Sequence, residues 1–365
     1  MNICFIGNKE DSFVGNRIEG LSQYLNKQHK IHKFYDNSKR NTISIAVFFR
    51  ITVFILKNRI DFVYLMSQNP SRVLSVWLIS LLKKIKFLVD TGDLLYDMYA
   101  ETGEISRVKI FLIKIWENIS LKIPDAIVVR GYYHKIYLEK KGFKNVYYIP
   151  DGVYCEKLKK IDSTKLRNEM GLENKFTLGI LATIGKHDKL KLPSPGWDLV
   201  DVLALLSDIP VHGIVIGDGP GLSLLKERAI NKGVEEKITY VKRLEYKDIP
   251  KYLSLIDVCI HTALNNVHSM VRTTGKLPIY MSCSCCIIAS DVGTVKNLFK
   301  STGMLIHLGN SLDEYVHGLS EKIKNLYYLK DLEKYRLISR QIAEKEFDYK
   351  ILGIKVEKII NGLFK

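Results

Sequence analysis

VRTTGKLPIYMSCSCCIIASDVGT, residues 271–294, is the stretch whose reading decides the fold. Thr273, Thr274 and Gly275 come immediately before the apolar-periodic positions Leu277, Tyr280 and Met281, so a helix is expected to start there. A helix start presents unpaired backbone N–H groups and the positive end of a dipole, which favours a phosphate. Lys276 adds a cationic head at the same point, and Arg272 adds another. Residues 285–289 (CCIIA) form a continuous apolar run, as expected of a strand covered on both faces. Ser290, Asp291, Val292 and Gly293 then turn the chain at that strand's carboxyl end, the edge where open α/β sheets bind ligands. The expectation is a loop that holds a diphosphate.

Working outward, the 365 residues suffice for two domains of ordinary size. With 47% hydrophobic and 26% charged residues the chain is a folded globular protein rather than a disordered one. Six cysteines in a chain this long do not make a disulfide framework; they read as reduced, buried thiols of a cytosolic protein. C-x-C-C at Cys283, Cys285 and Cys286 is poor zinc spacing. Net charge is +16, and residues 1–150 carry 23 Lys and Arg against 13 Asp and Glu. Such a field favours nucleic acid, an anionic membrane surface or phosphorylated substrates. The start, MNICFIG, reads as a first strand and not as a signal peptide. The most apolar stretch, residues 43–56, is interrupted by Arg50 and is too short to span a bilayer.

From the amino terminus, the strand ICFI (residues 3–6) runs through Gly7 and a loop to Gly15-Asn16-Arg17, which opens an amphipathic helix. Strand, glycine loop and helix make the first unit of a doubly wound sheet; without G-x-G-x-x-G, a dinucleotide cofactor is not expected. Further strands are read at residues 30–34, 62–65, 87–89, 125–129 and 146–149. Asn69 lies in a turn before the next helix, and Asp90-Thr91-Gly92-Asp93 stands at a strand end, where the two carboxylates serve either turn and helix capping or a site. The helix over residues 106–123 is too apolar for one packed face. Val108, Leu112, Ile115 and Ile119 fit the core, which leaves Ile110, Ile113 and Trp116 for a second neighbour or an anionic bilayer. Pro150-Asp151-Gly152 punctuates the chain as a linker. A second strand–helix series follows, with a loop over residues 186–196, a glycine cluster at 217–221, and helices over 312–326, 331–347 and the basic tail.

NVYYIPDGV (145–153), the 217–221 glycine cluster, YLSLIDVC (252–259) and ASDVG (289–293), in this order, resemble the retaining GT-B glycosyltransferases of family 4. The resemblance covers nearly the whole chain. It implies an α/β GT-B architecture: two Rossmann-like α/β/α domains with parallel sheets facing across a cleft, and a last helix crossing back to the first. The corresponding boundaries are 1–160 for the acceptor domain, 161–345 for the nucleotide-sugar domain and 346–365 for the returning helix. It places Gly15, Lys186, Gly217, Arg272, Thr273, Thr274, Gly275 and Lys276 at the donor, with Asp93 and His268 as the catalytic candidates. Arg17, Asn69 and Asp90 are the acceptor-side candidates. His134, His187 and His261 are further candidate helpers.

The family's paired glutamates, eight residues apart, are replaced by Val271 and Ile279, within a G-K-L-P-x-Y pattern that some branches carry. Breaking a sugar–diphosphate bond needs fixed positive groups at the phosphates, which lysines and helix starts supply here without a metal or other cofactor. No D-x-D metal pair is read. The resemblance thus implies transfer from a nucleotide sugar to a lipid-linked or glycan acceptor, with configuration retained, by a peripheral protein on the inner face of the cell membrane. An anionic membrane surface is the expected partner, and nucleic acid is not. Loss of both glutamates motivates the alternative, a non-catalytic partner subunit or membrane-associated binding protein of the same fold.

Overall fold

Short runs of β-branched and aromatic residues alternate with amphipathic segments along the whole chain, and each run becomes a parallel strand. The computed structural model describes residues 1–37, 43–102, 105–185, 194–309, 311–329 and 331–365. The first series comprises β1 (Asn2–Gly7), α1 (Phe13–Leu25), β2 (Lys30–Tyr35), α2 (Ile45–Lys57), β3 (Phe62–Leu65), α3 (Pro70–Lys83) and β4 (Lys86–Thr91). It continues through α4 (Leu95–Thr102), α5 (Arg107–Lys122), β5 (Ala126–Val129), α6 (Tyr132–Lys140) and β6 (Val146–Tyr148). The sheet order is β2-β1-β3-β4-β5-β6, every pair parallel. Order reverses between β1 and β3, which makes their carboxyl ends a switch point. On one face α2 and α3 pack through Val47, Ile51, Val73 and Val76 onto Ile6, Val63 and Val89, and Trp116 and Ile123 of the α5 region join them.

The second series comprises α7 (Thr164–Glu169), β7 (Phe176–Leu181), α8 (Trp197–Leu205), β8 (Val211–Ile216), α9 (Leu222–Asn231), β9 (Ile238–Val241), α10 (Ile249–Leu253) and β10 (Val258–His261). After these come α11 (Val267–Val271), α12 (Lys276–Ser282), β11 (Cys286–Ser290), α13 (Gly293–Leu298), β12 (Leu305–Ile306), α14 (Leu312–Leu329), α15 (Glu333–Ile342) and α16 (Tyr349–Leu363). This sheet is ordered β12-β11-β10-β7-β8-β9, again parallel, with its switch point between β7 and β10. Its core runs through Leu199, Leu203, Val215, Ile260, Ile288 and Leu319. All six cysteines are buried and free.

Two compact units result: Met1–Gly152 with Asn266–Thr273 and Glu346–Lys365, and Val153–Asn265 with Thr274–Lys345. Set beside the expected boundaries, the division falls at Gly152 instead of residue 160, and α11 joins the first unit. The reason is local. Val271 is 1% exposed among Leu94, Leu121 and Ile127, and Gly131 admits its carbonyl so closely that a Cβ there would lie 2.1 Å from the oxygen. The helix expected over 331–347 ends at Ile342 and passes through a π-helical turn, Ala343–Phe347. Asp348 then caps α16, accepting from the Lys350 N–H at 2.9 Å. No described helix is long and apolar enough to cross a membrane.

The helix α16 lies on α1, and glycines make the approach feasible. A Cβ on Gly20 or Gly152 would meet the Tyr349 ring at 2.3 and 2.5 Å, and one on Gly353 would meet Tyr24 at 2.7 Å. Tyr349 is 6% exposed, so its ring has little room to move. Gly152→Ala should therefore lower unfolding free energy by about 1–3 kcal/mol. In denaturant melts, adding Tyr349→Ala should cost less in that background than in the parent.

Candidate functional site

In the second unit, buried polar groups collect at the carboxyl edge of the sheet. His261 ends β10, Ser290 ends β11, Asp198 lies in the first turn of α8, and Lys276 begins α12. The Thr262 hydroxyl donates to Asp198 and lies 2.7 Å from the Tyr315 hydroxyl; the Ala263 N–H donates to Ser290 Oγ at 3.0 Å. Asp198 is 3% exposed and His261 1%. Burial pushes the Asp198 carboxyl up, although the Thr262 hydroxyl and the Lys276 charge oppose it. Lys276 is half-buried; burial lowers its ammonium's pKa, with Asp198 opposing that. Burial, then the Lys276 charge, hold His261 well below the usual imidazole range, so it stays neutral. Lys276, the first residue of α12, thus stands at the sheet's carboxyl edge within electrostatic reach of buried Asp198.

Helix α12 has seven residues, Gly275 caps it without a side-chain bond, and the Leu277 N–H donates to Thr274 O at 3.0 Å. So short a helix has little macrodipole. Anion attraction there rests on local N–H groups and on Lys276. The Thr274 hydroxyl oxygen is buried with no partner among the described residues. Thr273 is fully buried, belongs to the first unit and lies beside the Tyr148 hydroxyl. Gly217 has φ +140°, donates its N–H to Val241 O at 2.9 Å, and would place a Cβ 1.8 Å from Ala182 O. The Ile184 N–H donates to Asp218 O at 3.0 Å, and the Gly221 N–H donates to Ile184 O at 2.8 Å. The glycine cluster therefore seats the loop after β7 against the loop after β8, so Gly217 acts through packing.

The first unit has its own buried edge. Arg17, 1% exposed, donates to Asp90 through Nε at 3.0 Å and Nη2 at 2.9 Å, to Ile149 O at 2.8 Å and also to Pro150 O. Asp90 also accepts from the Tyr64 hydroxyl at 2.7 Å and from Arg130 Nε at 3.1 Å. Burial alone would raise the Asp90 carboxyl, yet Arg17 and Arg130 together hold it below the ordinary carboxylate range. Asp151, with the same two arginines but a weaker hold, is raised by its burial. Both Arg17 and Asp90 are saturated by the protein, so they position the edge and offer nothing to an acceptor. Asn69 is similarly engaged: it caps α3, accepting from the Ser71 N–H at 3.0 Å, with Pro70 in the first turn. Gly15 donates its N–H to the capping hydroxyl of Ser12 at 3.1 Å, and a Cβ on it would strike Glu10 O at 1.6 Å. Tight packing of loop on helix explains that glycine.

Asp93, 4% exposed, receives the Arg272 guanidinium within the same unit. The loop bearing Asp93 leads into α4, which the sequence reading missed. Its first N–H groups, of Leu95 and Tyr96, donate to the Glu117 carboxylate on α5, and burial pushes that carboxyl up to about 7. Lys186 and His187 lie outside the described residues, as does the side chain of His268, whose backbone belongs to α11. His134 is fully buried in α6 with neither ring nitrogen partnered, and burial depresses it to about 3. Asp198, Thr262, Tyr315 and Glu117 were not singled out from sequence. Part of the signal for Asp198 was available: an acid one residue into a helix start. Among the described residues, no group of three or more His, Cys, Asp or Glu is placed to hold a metal.

Residues 197–326 match the family model described as Glycosyl transferases group 1. That span holds Asp198, His261, Thr262, Lys276, Ser290 and Tyr315. Solved structures match across the full length. HepE of Anabaena in complex with UDP is 14% identical with a TM-score of 0.76, over 99% of this chain and 100% of that one. A glycosyltransferase from Rickettsia africae is 16% identical, TM-score 0.77, over 100% and 98%. Sucrose-phosphate synthase from Thermosynechococcus elongatus is 13% identical, TM-score 0.75, over 100% and 99%. A sequence search of curated proteins finds no match. The fold is that of the GT-B glycosyltransferases.

Asp90→Ala would strand the Arg17 charge in a site 1% exposed, so unfolding free energy measured by denaturant should drop by about 3–5 kcal/mol. Glu117 supplies a pH test. Its folded-state pKa is about 7, above the unfolded value near 4.5, so its contribution is fully present at low pH. That contribution is lost as pH rises through 7, up to about 3 kcal/mol across the window. Glu117→Gln should flatten this slope in melts at pH 5 and pH 8.

Proposed function

We propose, with the group 1 glycosyltransferase segment at residues 197–326 as premise, that this chain moves a sugar from a nucleoside-diphosphate sugar to an acceptor hydroxyl. The observation that carries the reading is Lys276 at the carboxyl edge of the second sheet, within electrostatic reach of buried Asp198. Its ammonium neutralises the departing diphosphate, aided by local N–H groups at the start of α12 and the Thr274 hydroxyl. Fixed charge at the leaving group stabilises the developing anion without reorganisation. Lysine in this role makes the reaction metal-independent. HepE is solved with UDP and with UDP-glucose, which supports a uridine nucleotide as the first donor to test.

The acceptor is a lipid-linked or glycan hydroxyl at the inner membrane face, in keeping with a chain of net charge +16. Asp93 orients the sugar or that hydroxyl, with Arg272 fixing the carboxylate, while the roles of His268 and Lys186 rest on the sequence alone. Configuration is retained. One observation favours a second reading, a GT-B partner that binds but does not catalyse. Val271 lies in the first unit's core and Ile279 is apolar, so neither replaces the glutamates chemically.

Lys276→Ala should weaken nucleoside-diphosphate binding by about 10–100-fold in calorimetry, as loss of a charged hydrogen-bond donor implies. Because burial lowers the Lys276 pKa, wild-type affinity should fall as pH rises, at lower pH than for an ordinary lysine. A wild type that binds none of the common nucleoside diphosphates would leave the non-catalytic reading standing.

A further inference from the structure

The apolar face of α5 that the sequence assigned to the core points the other way. Val108 is 70% exposed and Leu112 57%, with Ile115 and Ile119 also exposed; the buried side carries Glu117, Ser120 and Leu121. Helices α2, α3 and α5 pack on one face of the first sheet through a shared core cluster, so their outer sides form one surface. Large apolar side chains stand exposed on all three: four on α2, four on α3 and five on α5. Soluble monomers rarely expose so many together without a partner.

Charge identifies that partner. The sequences of α2 and α3 contain no acid, and the one carboxylate of α5, Glu117, is buried and bound to the start of α4. Exposed Lys57, Lys83, Lys109 and Lys122 lie on the same three helices, while Arg50 and Lys114 stack on the Phe34 and Tyr96 rings. A second copy of this chain would bring the same cations against themselves, at a Coulomb cost that a twofold contact cannot relieve. An anionic lipid surface removes both problems: apolar groups enter the headgroup–acyl boundary while the lysines stay among phosphates.

We propose that α2, α3 and α5 together form a docking surface for an anionic bilayer. The proposal deepens the membrane-face reading above by naming the surface and its lipid, and it uses no residue of the donor site. Several helices, each adding shallow insertion and basic contacts, hold a protein at a bilayer without any spanning segment.

The test is vesicle flotation of the full chain with phosphatidylcholine vesicles, with and without phosphatidylglycerol. Wild type should float with the phosphatidylglycerol vesicles, and raised salt should release it. The Phe49→Ser/Leu81→Ser/Phe111→Ser variant replaces only exposed side chains; it should keep its circular dichroism and its nucleoside-diphosphate affinity while vesicle affinity falls at least tenfold. Lys83→Glu/Lys109→Glu should lose anionic-vesicle binding to a similar extent. Failure of wild type to float, or unchanged flotation of the apolar variant, overturns the proposal. So does a dimer in sedimentation equilibrium that the apolar variant dissolves. Because nucleoside-diphosphate binding is read separately, failure of the donor reading leaves this result intact, and the reverse holds.

Discussion

The guanidinium of Arg17 is the interaction on which the first unit depends. It comes from α1, takes the carboxylate at the end of β4, and donates to the carbonyls of Ile149 and Pro150 where the sheet's last strand gives way to the next unit. A planar group with five donors in fixed directions suits that task; a lysine ammonium could not hold a carboxylate and two carbonyls in one plane. The cost of burying the charge is offset because Asp90 answers it, and Tyr64 and Arg130 satisfy the remaining lone pairs of Asp90. Two residues past Pro150, Gly152 presses on Tyr349, the first residue of α16. One buried ion pair thus sets where the chain leaves the unit, and an adjacent glycine sets where it returns.

Much of this was legible in the sequence because parallel strands buried on both faces read as short apolar runs. Phe62–Leu65, Val211–Ile216, Ile238–Val241 and Val258–His261 fall where periodicity puts them, as do α6 and α9. The failures share a cause. Helices α4 and α11 are short, and tertiary contacts stabilise them: α4 by the Glu117 carboxylate on α5, α11 by the burial of Val271. No local pattern announces a helix whose cap lies more than twenty residues away. The exposed face of α5 failed for a related reason. A helix apolar on both sides has two self-consistent orientations, and periodicity cannot choose between them. The orientation taken is the one in which Trp116 packs on the sheet and Glu117 accepts from the Leu95 and Tyr96 amides, which leaves Val108 and Leu112 outward.

The candidate site was legible in kind and less so in detail. Glycine and a basic residue at the right edge pointed to phosphate chemistry, and Lys276 stands there. Other glycines proved to answer packing. Gly15 makes room for Glu10 O and Gly217 for Ala182 O, and sequence alone does not distinguish room for backbone from room for a ligand. Charged residues were ambiguous in the same way. Arg17 and Asp90 looked like ligand contacts because they are charged and near a loop or strand end, but a buried charge must first be matched inside the protein. Of the described candidates, Lys276 at the carboxyl edge of the second sheet, near buried Asp198, is the cation on which the proposed diphosphate reading rests.

Glu117 joins two readings that otherwise stand apart. Helix α5 contributes five exposed apolar side chains to the surface assigned to lipid, and from its opposite side holds the start of α4, directly after the loop that bears Asp93. A residue with that geometry transmits position whether or not its proton is present, because either carboxyl form keeps an oxygen for the Leu95 amide. What protonation changes is the strength of the hold, since an ionised acceptor binds N–H groups roughly twice as firmly as a neutral one. With its pKa raised by burial to about 7, this carboxyl is divided between the two states under ordinary conditions. The Asp93 loop is therefore anchored to the same helix whose exposed apolar face belongs to the proposed docking surface.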